Sequence, residues 1–512
     1  MPASTASTSR DAFRPDIEGL RGLAVLVVIL FHAGLAGILG GFVGVDVFFV
    51  ISGFLITGLL LRERERTGGI ALLPFYARRA RRLLPAAIVV LVVTLVAAMN
   101  LVAPLDRPTV GLDGAAAALS IGNIRFAMAA GDYFSTVAAP SPFLHFWSLA
   151  VEEQFYLVWP ALILLVARGR HPSRRVLIAL GVIVATSFAA NLVLTDVAAN
   201  WAFYSLPTRA WELGIGGLVA AAAGHGLGRR VPRGVASLGG WLGLAAVLVA
   251  ILTFDSSLAW PGVAAIIPSV GTAIILAAGC RRLGPSRILA MTPLRFLGRI
   301  SYSLYLVHWP ILALAPFALG AAPDELTRVG LVGLSIGAAI VCWAAIETPF
   351  RGNVPRRALQ PGRTVSVGFA AILAVVVVAA GPSFGASGFP TVAAGEPPAT
   401  AEPSDEPWLD ELQSISPIAG QSAAPSAPGD EPFPLPGPSA DPATDPTPAP
   451  SGTPRPTSRS TLALPTGNTG ALPANVQPAL GDARADEERL RRDGCLAFEG
   501  VTMPPDCIYG VK

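Results

Sequence analysis

The chain has 512 residues, 52% of them hydrophobic and only 14% charged, and its mean hydropathy of +0.57 points to a membrane protein rather than a soluble domain. A net charge of +3 over that length gives no sign of a basic surface for nucleic acid, so no nucleic-acid partner is expected. Apolar runs long enough to cross a bilayer recur about eleven times, with cores near 18–38, 42–61, 84–103, 148–167, 176–194, 204–223, 235–253, 261–279, 300–320, 328–346 and 364–381. The pattern predicts an all-α polytopic membrane bundle of about 11 spans. The first run follows a polar start and leads into a second span, so it reads as a span and not as a cleavable signal.

In the first span Arg21 lies near the start of the apolar run and His32 near its middle. At about 3.6 residues per turn the two share one face, roughly 16 Å apart. An ionisable group at bilayer depth is costly, so His32 is either a functional base or a residue satisfied by a neighbouring helix. The second span carries Asp46 among glycines that allow close helix contact, and Asp46 either serves the site or pairs to hold the bundle. The next inner loop packs Arg78, Arg79, Arg81 and Arg82 together. Such a cluster suits a phosphate-bearing donor, anionic lipid, or simply the positive-inside signal.

The fourth predicted span begins with His145 and Trp147 and then carries Glu152, Glu153, Gln154 and Tyr156; the sixth holds Arg209 close to Glu212. The ninth holds Tyr302, Tyr305 and His308, the last near the depth of His32. Two mid-membrane histidines with acids and an arginine could line one polar cavity.

Loop charges set the expected orientation. Arginines crowd alternate segments: 10, 14 and 21; 62–82; 168–175; 229–233; 281–299; and 351–363. The intervening loops before residue 381 carry Arg107, Arg125 and Arg328. The positive-inside rule then puts the N-terminus in the cytosol and everything after residue 381 outside. Residues 382–485 are rich in Pro, Ala, Ser and Thr and read as a disordered exterior spacer. Beyond it, Cys495 and Cys507 could form a disulfide in an oxidising compartment, whereas Cys280 and Cys342 read as packing residues.

Taken in order, these motifs resemble the membrane-bound acyltransferase 3 family over about residues 13–351. The matching pieces run Arg14-Pro-Asp-Ile-Glu-Gly-Leu-Arg21 through His32, then Gly41-Phe-Val-Gly-Val-Asp46 through Ser52-Gly53, then Arg78-Arg79-Ala-Arg81-Arg82. They continue with Trp147-Ser-Leu-Ala-Val-Glu152-Glu-Gln154-Phe-Tyr156, Arg209-Ala-Trp-Glu-Leu-Gly214, Ser301 through Pro310, and Glu347-Thr-Pro-Phe-Arg351. The resemblance implies acyl transfer from a cytosolic donor, commonly acetyl-CoA, to hydroxyls of an extracytoplasmic glycan or glycolipid. It also implies a bacterial cytoplasmic membrane location, with lipid as surroundings and acyl-CoA as a substrate rather than a resident cofactor. No metal is expected.

On this resemblance the family's arginine–histidine motif falls on Arg21 and His32, and its paired arginines on Arg79 and Arg82 or on Arg78 and Arg81. His32 is then a base or an acyl relay, with Glu152, Arg209 and His308 orienting it or polarising the acyl carbonyl. Arg14, Arg21 and the loop arginines hold the CoA phosphates, and Asp46, Gln154, Tyr302 and Glu347 give support. One branch of the family carries an outer SGNH esterase-like domain. Residues 364–381 match its additional span and 486–512 resemble the opening of that domain, here expected as a remnant, so final transfer is expected either to be weak or to need an SGNH partner acting in trans. The rival reading is a transporter that uses the buried His, Asp, Glu and Arg as a proton or substrate pathway.

Overall fold

The computed structural model describes residues 14–35, 37–129, 140–167, 172–224, 231–255, 257–281, 283–352 and 360–385. The chain divides into residues 1–391 and 392–512, and every described residue falls in the first part. The spacer, Cys495, Cys507 and the SGNH-like segment lie outside the described residues.

Among the described residues the protein is all-α, as expected for a chain whose backbone polar groups must be satisfied without water. The helices are α1 Pro15–His32, α2 Gly44–Thr67, α3 Leu72–Leu101, α4 Arg107–Ala118, α5 Gly122–Ala129, α6 Phe146–Val166, α7 Pro172–Val197 and α8 Ala199–Tyr204. They continue with α9 Leu206–Gly224, α10 Arg233–Thr253, α11 Ile266–Ala278, α12 Ser286–Leu289, α13 Thr292–Leu319, α14 Glu325–Cys342, α15 Thr348–Gly352 and α16 Pro361–Gly385. A π-helical turn, Trp343–Glu347, joins α14 to α15.

Each of the eleven predicted runs is helical, and among the described residues 8 helices are long and apolar enough to cross a membrane. The remaining runs are α1, α9 and α11. The first carries Asp16, Glu18 and Arg21, the second Arg209 and Glu212, and the third is only 13 residues long. The polar pair are interior helices, where neighbouring side chains replace lipid. The hydrophobic window of α2 is 67% buried and that of α16 only 11%, which sets α2 at the centre and α16 at the rim, against α3 and α4.

The first span ends earlier than its hydropathy predicts. The apolar run continues to about residue 38, but α1 stops at His32 because Gly34 and Gly37 take φ values of +62° and +61°, a conformation that ends a helix. His32 therefore sits in the last turn of α1, while its neighbour His308 lies well inside α13.

Without a strong hydrophobic force between helices in lipid, close van der Waals packing must hold them, and small residues permit it. Two parallel crossings do this at backbone range. A methyl group on Gly22 would sit 1.9 Å from the Leu294 carbonyl oxygen, and one on Gly298 would sit 1.7 Å from that of Glu18, so α1 and α13 touch main chain to main chain. In α2, a methyl on Gly53 would sit 1.8 Å from the Leu213 carbonyl oxygen; in α9, one on Gly216 would sit 2.0 Å from that of Val50. These contacts fix which side chains meet further along each pair.

Candidate active site

Moving along α1 and α13 from their crossing, Arg21 Nη2 donates to Ser301 Oγ at 2.8 Å and the pair ends in two histidines. His32 Nδ1 lies 3.0 Å from His308 Nε2, with the rings stacked at 5.3 Å. His308 Nδ1 lies 2.7 Å from the Tyr305 carbonyl oxygen and 3.2 Å from that of Leu304. A carbonyl only accepts, so Nδ1 of His308 carries the hydrogen and, in the neutral ring, Nε2 presents a lone pair. His32 Nδ1 must then be the donor between the rings. That leaves Nε2 of a neutral His32 without a hydrogen: a base or nucleophile whose tautomer is set from behind by a main-chain carbonyl.

His32 lines a cavity of about 270 Å³ walled by Phe31, Phe42, Trp147, Phe203, Tyr204, Trp260 and Trp309. Its polar lining comes from His32, His145, Asp46, Arg209, Asp255 and Tyr305. Hydrogen bonds from the Ser257 side chain and main chain hold the Asp255 carboxyl below its usual range. The α2–α9 crossing delivers Arg209 to Asp46, 2.7 Å from Nη2 to Oδ1, and Glu212 follows at 3.2 Å. All three are buried, and the guanidinium carbon lies 5.4–5.9 Å from the ring centres of Phe49, Trp147 and Phe203. Arg209 Nε and Nη1 have no hydrogen-bond partner.

A second cavity, about 260 Å³, lies toward the arginine-rich end of the same helices. Arg21, Arg62, Arg79 and Arg82 line it, together with Ser52, Glu152, Tyr156 and Tyr302. Ser52 Oγ and the Tyr156 hydroxyl both donate to Glu152 Oε1, and Tyr156 lies 3.2 Å from Ser52. The Arg79 guanidinium rests on the Tyr156 ring at 3.7 Å. Val45 and Tyr305 line both cavities, so the two abut there. Tyr305 bonds to Ser148 at 2.6 Å and donates to the His145 carbonyl at 3.2 Å, which fixes the shared wall.

The structure thus gathers His32, His308 and Arg209 about the first cavity and Glu152, Arg21, Arg79, Arg82 and Tyr302 about the second. It separates the two possible arginine pairs: Arg79 and Arg82 face the cavity, while Arg78 pairs with Glu63 at 3.0 Å and Arg81 donates to Thr364 at 3.3 Å. Arg14 is held by Asp16 through two bonds of 2.7–2.8 Å and lines neither cavity. Gln154 bonds to Asn123 and the Ser120 carbonyl, Tyr302 donates to the Leu83 carbonyl at 2.9 Å, and Glu347 accepts from Ser303 at 2.8 Å. Sequence reading assigned no role to His145, Ser52, Tyr156 or Tyr305. A polar residue inside an apolar run was the available signal, but which helix each faces is a tertiary fact.

Such a fold and site define a multi-pass helical membrane protein with an arginine-lined and a histidine-lined cavity meeting inside one bundle. The acyltransferase-domain family matches residues 14–347, and the chain belongs to that family. It is 32% identical over 349 residues to the peptidoglycan O-acetyltransferase OatA of Listeria monocytogenes, covering 66% of this chain and 56% of that one. It is 31% identical over 370 residues to the putative membrane-bound transacylase BcsY of Komagataeibacter xylinus, covering 71% and 91%. With the O-acetyltransferase OatA of Staphylococcus aureus MRSA252 it shares 32% over 394 residues, covering 72% and 63%. The chain therefore spans somewhat over half the length of the two O-acetyltransferases it matches. No solved structure matches it.

Proposed function

We propose that the protein is a membrane O-acyltransferase that passes an acyl group, acetyl in the simplest case, from a cytosolic acyl-CoA to a hydroxyl of an extracytoplasmic glycan. The observation that carries this reading is the abutment of the two cavities at Val45 and Tyr305. One has guanidinium groups suited to phosphates, and the other has a histidine with a free ring nitrogen. The names of two relatives, which act on peptidoglycan or as O-acetyltransferases, favour a cell-wall glycan as acceptor. The arginine-rich loops favour a cytosolic face for the donor cavity and support a cytosolic N-terminus.

Arg79, Arg82 and Arg21 hold the donor's phosphates, so that its thioester reaches the shared wall. There His32 Nε2 takes the proton of the acceptor hydroxyl as its oxygen bonds to the acyl carbon. The C–S bond breaks, sulfur leaves with the electron pair, and the proton passes from His32 to the thiolate. His308 steadies the imidazolium that forms between these steps, and the unpartnered N–H groups of Arg209 face the developing oxyanion.

Membrane vesicles holding the protein, supplied with acetyl-labelled acetyl-CoA and cell-wall glycan, test the reading. Label appearing as an alkali-labile ester on the glycan supports it. Uptake of solute with no acyl turnover would instead establish the transporter reading.

A further inference from the structure

His145 plays no part in the steps above, yet it is buried and its ring is held in place. It is 2% exposed and sits at the start of α6, in the wall of the aromatic cavity. Its Nε2 lies 3.0 Å from the Leu306 carbonyl oxygen, so Nε2 carries the hydrogen. The neutral ring then holds a lone pair on Nδ1, and that atom is buried with no hydrogen-bond partner. A buried acceptor left unmatched costs free energy, and a polar group kept that way in a cavity wall is matched when a ligand supplies the donor.

The surroundings narrow the ligand. At about 30 Å³ per water, 270 Å³ is on the order of nine waters, the bulk of one sugar ring. The faces of Trp147, Trp260 and Trp309 match the apolar C–H faces of such a ring, while its hydroxyls supply donors. We propose that the aromatic cavity binds a saccharide ring and that His145 Nδ1 accepts a hydrogen bond from a hydroxyl other than the one acylated. His145 is then a specificity-determining residue: it distinguishes a polyol from water or a lipid alcohol, which lack a second hydroxyl apart from the reacting oxygen. This rests on the acyl-transfer reading above.

The test pairs two deletions of the same bond. Acetyl transfer from labelled acetyl-CoA is measured with methyl glucopyranoside and each of its monodeoxy analogues as acceptors, for the wild type, His145→Gln and His145→Asn in vesicles. Gln keeps an N–H for the Leu306 carbonyl but loses the acceptor at Nδ1, whereas Asn keeps an oxygen near it. Expected is a loss of about 100-fold in acceptor kcat/KM for His145→Gln and a similar loss for one deoxy analogue with the wild type. The two together cost no more than either alone, His145→Asn is intermediate, and CoA binding is unchanged because His145 does not line the arginine cavity. Losses that multiply, or deoxy analogues all as good as the parent, overturn the proposal. Loss of CoA binding in His145→Gln makes the residue structural and also overturns it. A wild type inert toward every acceptor, envelope glycan included, sinks the acyl-transfer reading itself and this proposal with it.

Discussion

The α1–α13 and α2–α9 crossings use the same device and end differently. In both, glycines let two parallel helices meet at backbone distance, and polar side chains meet further along. On α1 and α13 the chain of groups is closed: carbonyl, His308 and His32 satisfy one another and leave one ring nitrogen outward. On α2 and α9 it is open: two carboxylates share one guanidinium, and several of their atoms lack partners. The lesson is that a rigid crossing can serve either a tautomer or a charge. The first arrangement suits proton transfer, and the second suits answering a charge that appears only during reaction.

The largest effect is expected from His32→Ala. It should lower acyl transfer on the order of 10²–10⁴-fold while thermal unfolding in detergent stays near the wild type, because His32 sits at a helix end beside a cavity. Arg209→Met should do the reverse first. It strands Asp46 and Glu212 without a counter-charge and should cost about 3–5 kcal/mol of stability, read as a lowered unfolding midpoint. Replacing Asp46, Arg209 and Glu212 together by Leu, Met and Leu should recover most of that stability and none of the activity.

Arg79→Ala and Arg82→Ala should each raise donor KM roughly 10- to 100-fold with little change in kcat, whereas Arg78→Ala should leave donor KM alone. The smallest effect belongs to the exposed cap of α14, where Asp324 accepts from the Thr327 amide at 2.8 Å, and hydrogen bonds from the Thr327 side chain and amide hold its carboxyl below the usual range. The cap contributes stability above the ordinary aspartate pKa of about 3.9, and loses it as pH falls through the lowered folded value. Asp324→Ala should therefore speed hydrogen exchange at Thr327 near neutrality, and the difference from wild type should vanish in acid.

Much of this was legible from sequence because hydropathy reports depth along one helix. Arg21, Asp46, Arg209 and His308 stood out as charges or imidazoles in apolar runs, and each is packed inside the bundle or lines one of the two cavities. Rotation about a helix axis was not legible. Nothing in Arg78-Arg79-Ala-Arg81-Arg82 says which two arginines face inward until α6 and α13 are packed against α3. Arg14 has the same charge as Arg21 yet, about two turns earlier, is consumed by Asp16. The end of α1 was misread for a different reason: glycine scores as mildly apolar, so a helix stop inside an apolar run leaves hydropathy nearly unchanged.

Tyr305 stands between the two cavities, tied to Ser148 and to the His145 main chain. A reaction centre cut straight through a bilayer would short-circuit the ion gradients held across it. With the aromatic ring as a septum, a small acyl fragment can be handed over at the shared wall while hydrated ions meet an obstruction. On the proposed acyl-transfer reading, chemistry then reaches across the membrane while electrical insulation is kept.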